Sequence, residues 1–266
     1  MNTVRSADGT TIAFTRVGQG PPLILVDGAL CSRGFGPMPK LAEQLAPSFT
    51  VYTYDRRGRG ESGDTAPYSP DREVDDLGAL VALAGDTVYV HGTSSGAALA
   101  LEAAKRITAI AMLAVYEPPF IVDDTRPPMP GDYPARLTRL VSEGRRGDAV
   151  KMFMSFVGTP AIFTAVMPLT PAWSKLKAVA PTLVYDITIV QDHERGAPLT
   201  TAEWAGVKVP TLVAAGGKSP AWMTSGTRAL AAALPDATYR TLAGQNHMVR
   251  AQAIAPALTS FFNTRD

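Results

Sequence analysis

Apolar and polar positions follow two different rhythms along this chain. Five largely apolar runs are short: "PLILV" from Pro22, "FTVYTYD" from Phe49, "TVYV" from Thr87, "AIAMLAVY" from Ala109 and "PTLVAA" from Pro210. Runs of this length, bounded by turn residues, predict strands buried on both faces. Between most of them lie "PKLAEQLA", "REVDDLGALVALA" and "GAALALEAAKRI", whose apolar residues recur three or four apart, the spacing of one helix face. Strands alternating with helices predict an α/β fold, with a mainly parallel sheet covered by helices on both faces. Residues 2–17 read as two short strands around Asp8-Gly9, a hairpin turn signal, and so as an edge hairpin.

The alternation breaks between about Pro118 and Val207. That stretch carries helical patterns ("YPARLTRLVSEG", "GDAVKMFMSFVG"), many prolines and no convincing strand. The expected organisation is a core of residues 1–117 and 208–266 with a helical cap insert at 118–207. A cap in this place covers the carboxyl edge of the sheet, where open α/β sheets bind ligands. Met154, Phe156, Trp173 and Tyr185 of the insert, with Trp222 beyond it, are candidate substrate-lining residues. Any one of them can equally serve as packing, but together they predict an apolar pocket wall.

Composition narrows the function. The chain has 266 residues, 46% hydrophobic and 18% charged, enough for one large domain with a water-excluding core. Its 25 basic and 24 acidic residues leave no electrostatic footprint for nucleic acid or an anionic membrane, so a small apolar molecule is the expected partner. The single cysteine, Cys31, excludes an internal disulfide framework and is expected to be a packing residue. The N-terminal residues lack a signal-type apolar run, and no uncharged window approaches the ~20 residues of a membrane span, so the expected location is cytoplasmic. No metal spacing, phosphate loop or dinucleotide fingerprint appears, and no cofactor or metal is expected.

The chemistry centres on "HGTSSG", residues 91–96. Gly92-x-Ser94-x-Gly96 has the form of a nucleophile elbow and stands where one belongs, after a strand and before a helix. Glycines permit so tight a turn, and the middle residue, Ser94, is pushed into the open in a strained conformation. Ser95 is expected to contribute its backbone N–H at the head of the helix, where unpaired donors favour an anion. A serine hydroxyl needs a base, most often histidine. Of three histidines, His247 in "GQNH" follows the last strand pattern and precedes the final helix, which makes it the candidate. His91 is expected to be a packed strand residue and His193 a surface one.

With "LVDGAL", "YDRRGRGESG", "HGTSSGAA" and "GQNH", the chain resembles the α/β-hydrolase superfamily along nearly its whole length. The resemblance implies an eight-stranded, mostly parallel sheet and a catalytic triad. In many members the acid follows the next-to-last strand, but here that loop reads "AAGGKSPAW", with Lys218 and Ser219 where an aspartate would stand. Glu117, in "VYEPP" at the end of the strand after the nucleophile helix, is the candidate that fills the vacancy. Asp123 and Asp124 are held in reserve, and a strand-end carboxylate or a salt bridge is the alternative reading of Glu117. Lactone hydrolases of the zearalenone-hydrolase type are similar in their Ser-Ser-Gly elbow, Glu-x-Pro turn and Asp-Gly loop. The resemblance of "VDGAL" to the family's H-G-x loop implies an oxyanion hole built from N–H groups of Gly28 or Ala29 and of Ser95. "YDRRGRGESGD" is expected to be structural, its arginines paired locally with Asp55 and Glu61.

The expected activity is a serine hydrolase that cleaves a carboxylic ester or lactone of an apolar small molecule through an acyl-enzyme on Ser94. A C–C bond hydrolase, a thioesterase of secondary metabolism and a non-catalytic ligand-binding protein on the same scaffold are the rival readings.

Overall fold

Each apolar run becomes a strand. The computed structural model describes residues 2–265. Its strands are β1 (Asn2–Arg5), β2 (Thr11–Val17), β3 (Pro22–Val26), β4 (Thr50–Tyr54), β5 (Val88–Thr93), β6 (Ile110–Tyr116), β7 (Thr211–Gly216) and β8 (Ala237–Leu242). They form one sheet in the order β1-β2-β4-β3-β5-β6-β7-β8. β1 and β2 are the antiparallel hairpin turned at Asp8-Gly9, β2 runs antiparallel to β4, and every later pairing is parallel. This is the α/β-hydrolase fold.

Residues of alternating parity divide between the two faces, as the two-residue period of a strand requires. Ile24, Val26, Leu113, Val115 and Val213 face one core. Helices α2 (Pro70–Ala84), α3 (Ser95–Ala104) and α10 (Ala221–Ala233) cover it with Leu77, Leu101 and Leu230 among others. Leu23, Leu25, Met112, Ala114 and Leu212 face the opposite way, under α1 (Met38–Leu45) and α11 (Ala251–Phe262), where Leu41, Leu258 and Phe262 close the layer. Each large apolar side chain among them contributes roughly 1.5–3 kcal/mol by leaving water, so the central strands are fixed in register. Sequence punctuation sets the helix ends: α2 opens on Ser69, whose side chain accepts from the Arg72 N–H, with Pro70 behind it, and closes at Gly85.

Residues 118–207 contain helices and no strand among the described residues: α4 (Tyr133–Ser142), α5 (Arg146–Phe156), α6 (Ala161–Val166), α7 (Ala172–Val179), α8 (Leu183–Val190) and α9 (Thr201–Trp204). Leu137, Val150, Leu176, Leu183 and Ile187 form a third cluster there, joined by Leu30 from the loop after β3. Among the described residues no helix is long and apolar enough to cross a membrane.

Candidate active site

β5 ends at Thr93, and α3 begins at Ser95. Ser94 between them has φ 58° and ψ −129°, a conformation L-residues rarely adopt. A Cβ on Gly92 would stand 2.4 Å from the Gly96 carbonyl oxygen, and one on Gly96 would stand 2.5 Å from that of Asp27, so both flanking positions require glycine. The Ser94 N–H donates to the Tyr116 carbonyl at 2.9 Å, which ties the turn to β6. The loop after β3 also packs tightly here, since a Cβ on Gly28 would lie 2.9 Å from that of Ser94. The Ser94 hydroxyl makes no hydrogen bond among the described residues, to His247 or to any other. Hydrogen bonds of this kind often tighten only when substrate binds.

His247 lies on the loop between β8 and α11 with its side chain about one-third exposed. Its Nδ1 is 2.9 Å from Glu117 Oε2. Glu117 is fully buried, and its Oε1 accepts the Gly216 N–H at 2.6 Å, so both carboxylate oxygens are occupied. Tyr116 Oη donates to the Asn246 carbonyl at 2.7 Å and steadies the histidine loop from below. Glu117 has φ 47°, and the remaining non-glycine residue with positive φ among those described is Leu30, at 59°. All three such residues lie at the elbow, at the end of β6 or in the loop after β3, so the strained backbone is gathered at one end of the sheet.

The other expected positions fall elsewhere. Lys218 is exposed, and Ser219 presents a buried hydroxyl without a partner among the described residues. Asp123 accepts from Thr125 and Ser225, and Asp124 is exposed. His91 is packed in β5 with Nδ1 3.1 Å from the Ala114 carbonyl, and burial pushes it down to about 4, so it is neutral. His193 is not a surface residue. Its ring packs against those of Phe120 and Trp204, with Nε2 2.7 Å from Glu203. Burial, together with the Asp27 charge, pushes the Cys31 thiol up, away from nucleophilic use.

Met154, Phe156 and Trp173 border the same apolar cluster as Ala29 and Leu30 of the loop after β3. Tyr185 does not join them. It stacks on Tyr68 with ring centroids 3.7 Å apart and donates to Asp64 at 2.7 Å, which binds it to the arginine loop. Phe156 and Trp222 meet through a residue that sequence reasoning passed over. The Arg126 guanidinium sits 4.8 Å from the first ring centroid and 4.2 Å from the second. An arginine inside the proline-rich "DDTRPPMP" was the available signal.

Glu194 lies buried near Arg126 and Tyr133, with Oε2 unpartnered among the described residues. Burial pushes its carboxyl from 4.5 up to about 8, only partly opposed by Arg126. Between those values the folded chain holds a proton that the unfolded chain releases, so stability falls as pH rises through the window. Glu194→Gln is expected to flatten that fall. Melting curves at about pH 5 and pH 9 check it, and an undiminished pH dependence in the variant would contradict the assignment.

The arginines of "YDRRGRGESGD" are buried, but their partners are not the local acids. Asp55 and Glu61 both pair with Arg33. Arg57 takes Asp76 at 2.7 Å and Asp8 at 3.0 Å, whereas Arg56 reaches Glu73 and Asp186, and Arg59 reaches Asp186.

A strained serine follows β5 at a strand–helix elbow, and a histidine–carboxylate pair stands at the end of the neighbouring strand β6, on the sheet of an α/β-type hydrolase. Residues 23–257 match the model of the alpha/beta hydrolase family, and the chain belongs to that family. An alpha/beta hydrolase from Sphaerobacter thermophilus DSM 20745 is 50% identical with a TM-score of 0.91, over 98% of this chain and 100% of that one. The enol-lactonase from Burkholderia xenovorans LB400 (19% identity, TM-score 0.73, 98% and 99% covered) shares the fold. So does a thermophilic esterase from Thermogutta terrifontis (18%, 0.70, 98% and 97%). The uncharacterized hydrolase YraK of Bacillus subtilis (strain 168) is 36% identical over 101 residues, a match spanning 35% of this chain and 35% of that protein.

Proposed function

We propose that the protein hydrolyses a carboxylic ester or lactone of an apolar small molecule through an acyl-enzyme on Ser94. The observation that carries the reading is the 2.9 Å hydrogen bond between His247 Nδ1 and Glu117 Oε2. A buried carboxylate bonded to Nδ1 fixes the tautomer in which Nε2 is a free acceptor, and it stabilises the imidazolium formed when that nitrogen takes the Ser94 proton. Ser94 Oγ then attacks the carbonyl carbon, and the developing oxyanion is held by the N–H groups of Ser95 and of Ala29 or Gly28. Among the described residues neither of the latter two donors has an acceptor. His247 returns its proton to the departing alkoxide. In the second half-reaction it activates water to release the acid, and the steps call on no cofactor.

Placing the acid after β6 is the arrangement in which the chain resembles lactone hydrolases of the zearalenone type. The enol-lactonase and esterase among its structural neighbours fit the same chemistry. In this reading residues 118–207 act as a cap, with Met154, Phe156, Trp173 and Trp222 contributing to the substrate wall.

A fluorophosphonate probe followed by peptide mapping, and turnover of p-nitrophenyl esters of increasing chain length beside a lactone panel, test the reading. Labelling of Ser94 with turnover on one of the panels is expected. Folded protein that takes up no probe would refute it.

A further inference from the structure

Asp186 is the most heavily engaged buried carboxylate outside the His247–Glu117 pair. It projects from α8, in the stretch read as the cap, and is 1% exposed. Its Oδ1 accepts from Ser95 Oγ at 2.7 Å, Arg56 Nη1 at 2.7 Å and Arg59 Nη2 at 2.8 Å, and its Oδ2 accepts from Arg59 Nη2 at 2.8 Å. Arg59 in turn donates through Nη1 to the Gly28 carbonyl at 2.6 Å and to that of Cys31 at 3.3 Å. Its Nε is held by Thr182 at 3.0 Å. Arg56 Nη1 reaches the Asp27 carbonyl at 3.3 Å, and the rest of its fork is clamped by Glu73.

These contacts converge on the two segments that supply the oxyanion donors. In a trans peptide the C=O and N–H point in opposite directions. Anchoring the Gly28 carbonyl to Arg59 therefore turns the Ala29 N–H away from the arginine, and this N–H has no acceptor among the described residues. On the other side of the site, the bond from Ser95 Oγ to Asp186 fixes the residue whose N–H heads α3. Oxyanion donors act only when they are preorganised, and a displacement of an ångström is enough to waste one.

We propose that Asp186, acting through Arg59 and Ser95, is the positioning residue that sets both halves of the oxyanion hole and couples its geometry to the seating of α8. The proposal rests on the acyl-transfer reading of Ser94. Burial alone would raise the Asp186 carboxyl, but Arg59 and Arg56 hold it below its ordinary value, so it stays ionised and the coupling persists across the neutral range. A carboxylate that served only to neutralise two arginines would not need the Ser95 hydroxyl. A helix that needed only anchoring would not need its anchor to extend to the Gly28 carbonyl.

The test compares wild type with Asp186→Asn, Ser95→Ala and the Ser95→Ala/Asp186→Asn double variant. It measures kcat and KM on the best ester, affinity for an aryl boronic acid whose adduct on Ser94 places an oxygen in the hole, and melting temperature. Asp186→Asn is expected to lower kcat by about 10²-fold, with boronate affinity falling in step and KM moving less than about threefold. Ser95→Ala leaves both arginines neutralised and so keeps the fold; it is expected to lose about tenfold in kcat, because only one of the two arms is cut. The double variant is expected to lose no more than Asp186→Asn alone, since both changes cut the same carboxylate's arm. If Asp186→Asn fails to fold, Ser95→Ala and Arg59→Lys, which keeps the charge but not the fork, carry the test. Unchanged kcat and boronate affinity beside a lowered melting temperature would overturn the proposal and leave the acyl-transfer reading standing. Failure of the fluorophosphonate to label wild-type Ser94 would overturn both.

Discussion

Ser94→Ala is expected to cut ester or lactone turnover by about four orders of magnitude or more, leaving the residual rate that oxyanion donors and binding provide without a nucleophile. Its melting temperature is expected to stay close to that of wild type. The Ser94 hydroxyl makes no hydrogen bond among the described residues, so its removal orphans no buried partner. The alanine Cβ occupies the space the serine Cβ already holds beside Gly28. Loss of activity without loss of stability separates a reacting group from a packing group. Single-turnover kinetics beside calorimetry read the two quantities, and turnover near the wild-type level would place the nucleophile elsewhere.

Glu117→Gln is expected to lower kcat by about 10²- to 10⁴-fold while the protein remains folded. The reason is a count of lone pairs and protons. Glu117 accepts from two N–H groups, His247 Nδ1 on one oxygen and Gly216 on the other. A glutamine has one acceptor oxygen and one NH2, so one of the two donors must face another donor beside a fully buried side chain. If Gly216 keeps the oxygen, His247 is driven into the tautomer that cannot accept the serine proton. If His247 keeps it, the strand end loses a buried bond, and no charge is left to balance the imidazolium. Ser219→Ala, in the loop after β7, is expected to change kcat less than twofold, because its hydroxyl has no partner to lose among the described residues. A large effect at Ser219 with none at Glu117 would reverse the assignment.

The strands were legible because burial on both faces leaves few places for a polar residue, and β3 and β7 show it in one line of letters. The elbow was legible for a steric reason, since Gly92 and Gly96 stand where backbone oxygens leave no room for a Cβ. Glu117 emerged by subtraction, from Lys218 and Ser219 occupying the more usual place. What stayed hidden is long-range. Arg56 and Arg59 lie near Asp55 and Glu61 in sequence, yet they pair with Asp186, more than a hundred residues away, and no local pattern encodes that choice. α8 carried a signal that went unused. In "LVYDITIV" the buried positions are Leu183, Asp186, Ile187, Ile189 and Val190; four of the five follow a helical period, and one of those four is an acid. The β-branched residues of that segment favour a strand, and packing against α3 and α4 overrides the preference. Residue type alone suggests Tyr185, one position from Asp186, for the substrate wall, whereas its ring stacks on Tyr68.

The left-handed backbone at Leu30, Ser94 and Glu117 sets thermal endurance against turnover. Glycine adopts such angles without steric penalty, so Leu30→Gly and Glu117→Gly would relieve torsional cost at two joints while discarding the side chains that cost supports. A search for hardier variants that scores survival of heat alone would be drawn toward these positions. Screens meant to improve the protein as a biocatalyst need to hold all three fixed and seek their gains in the outer helices.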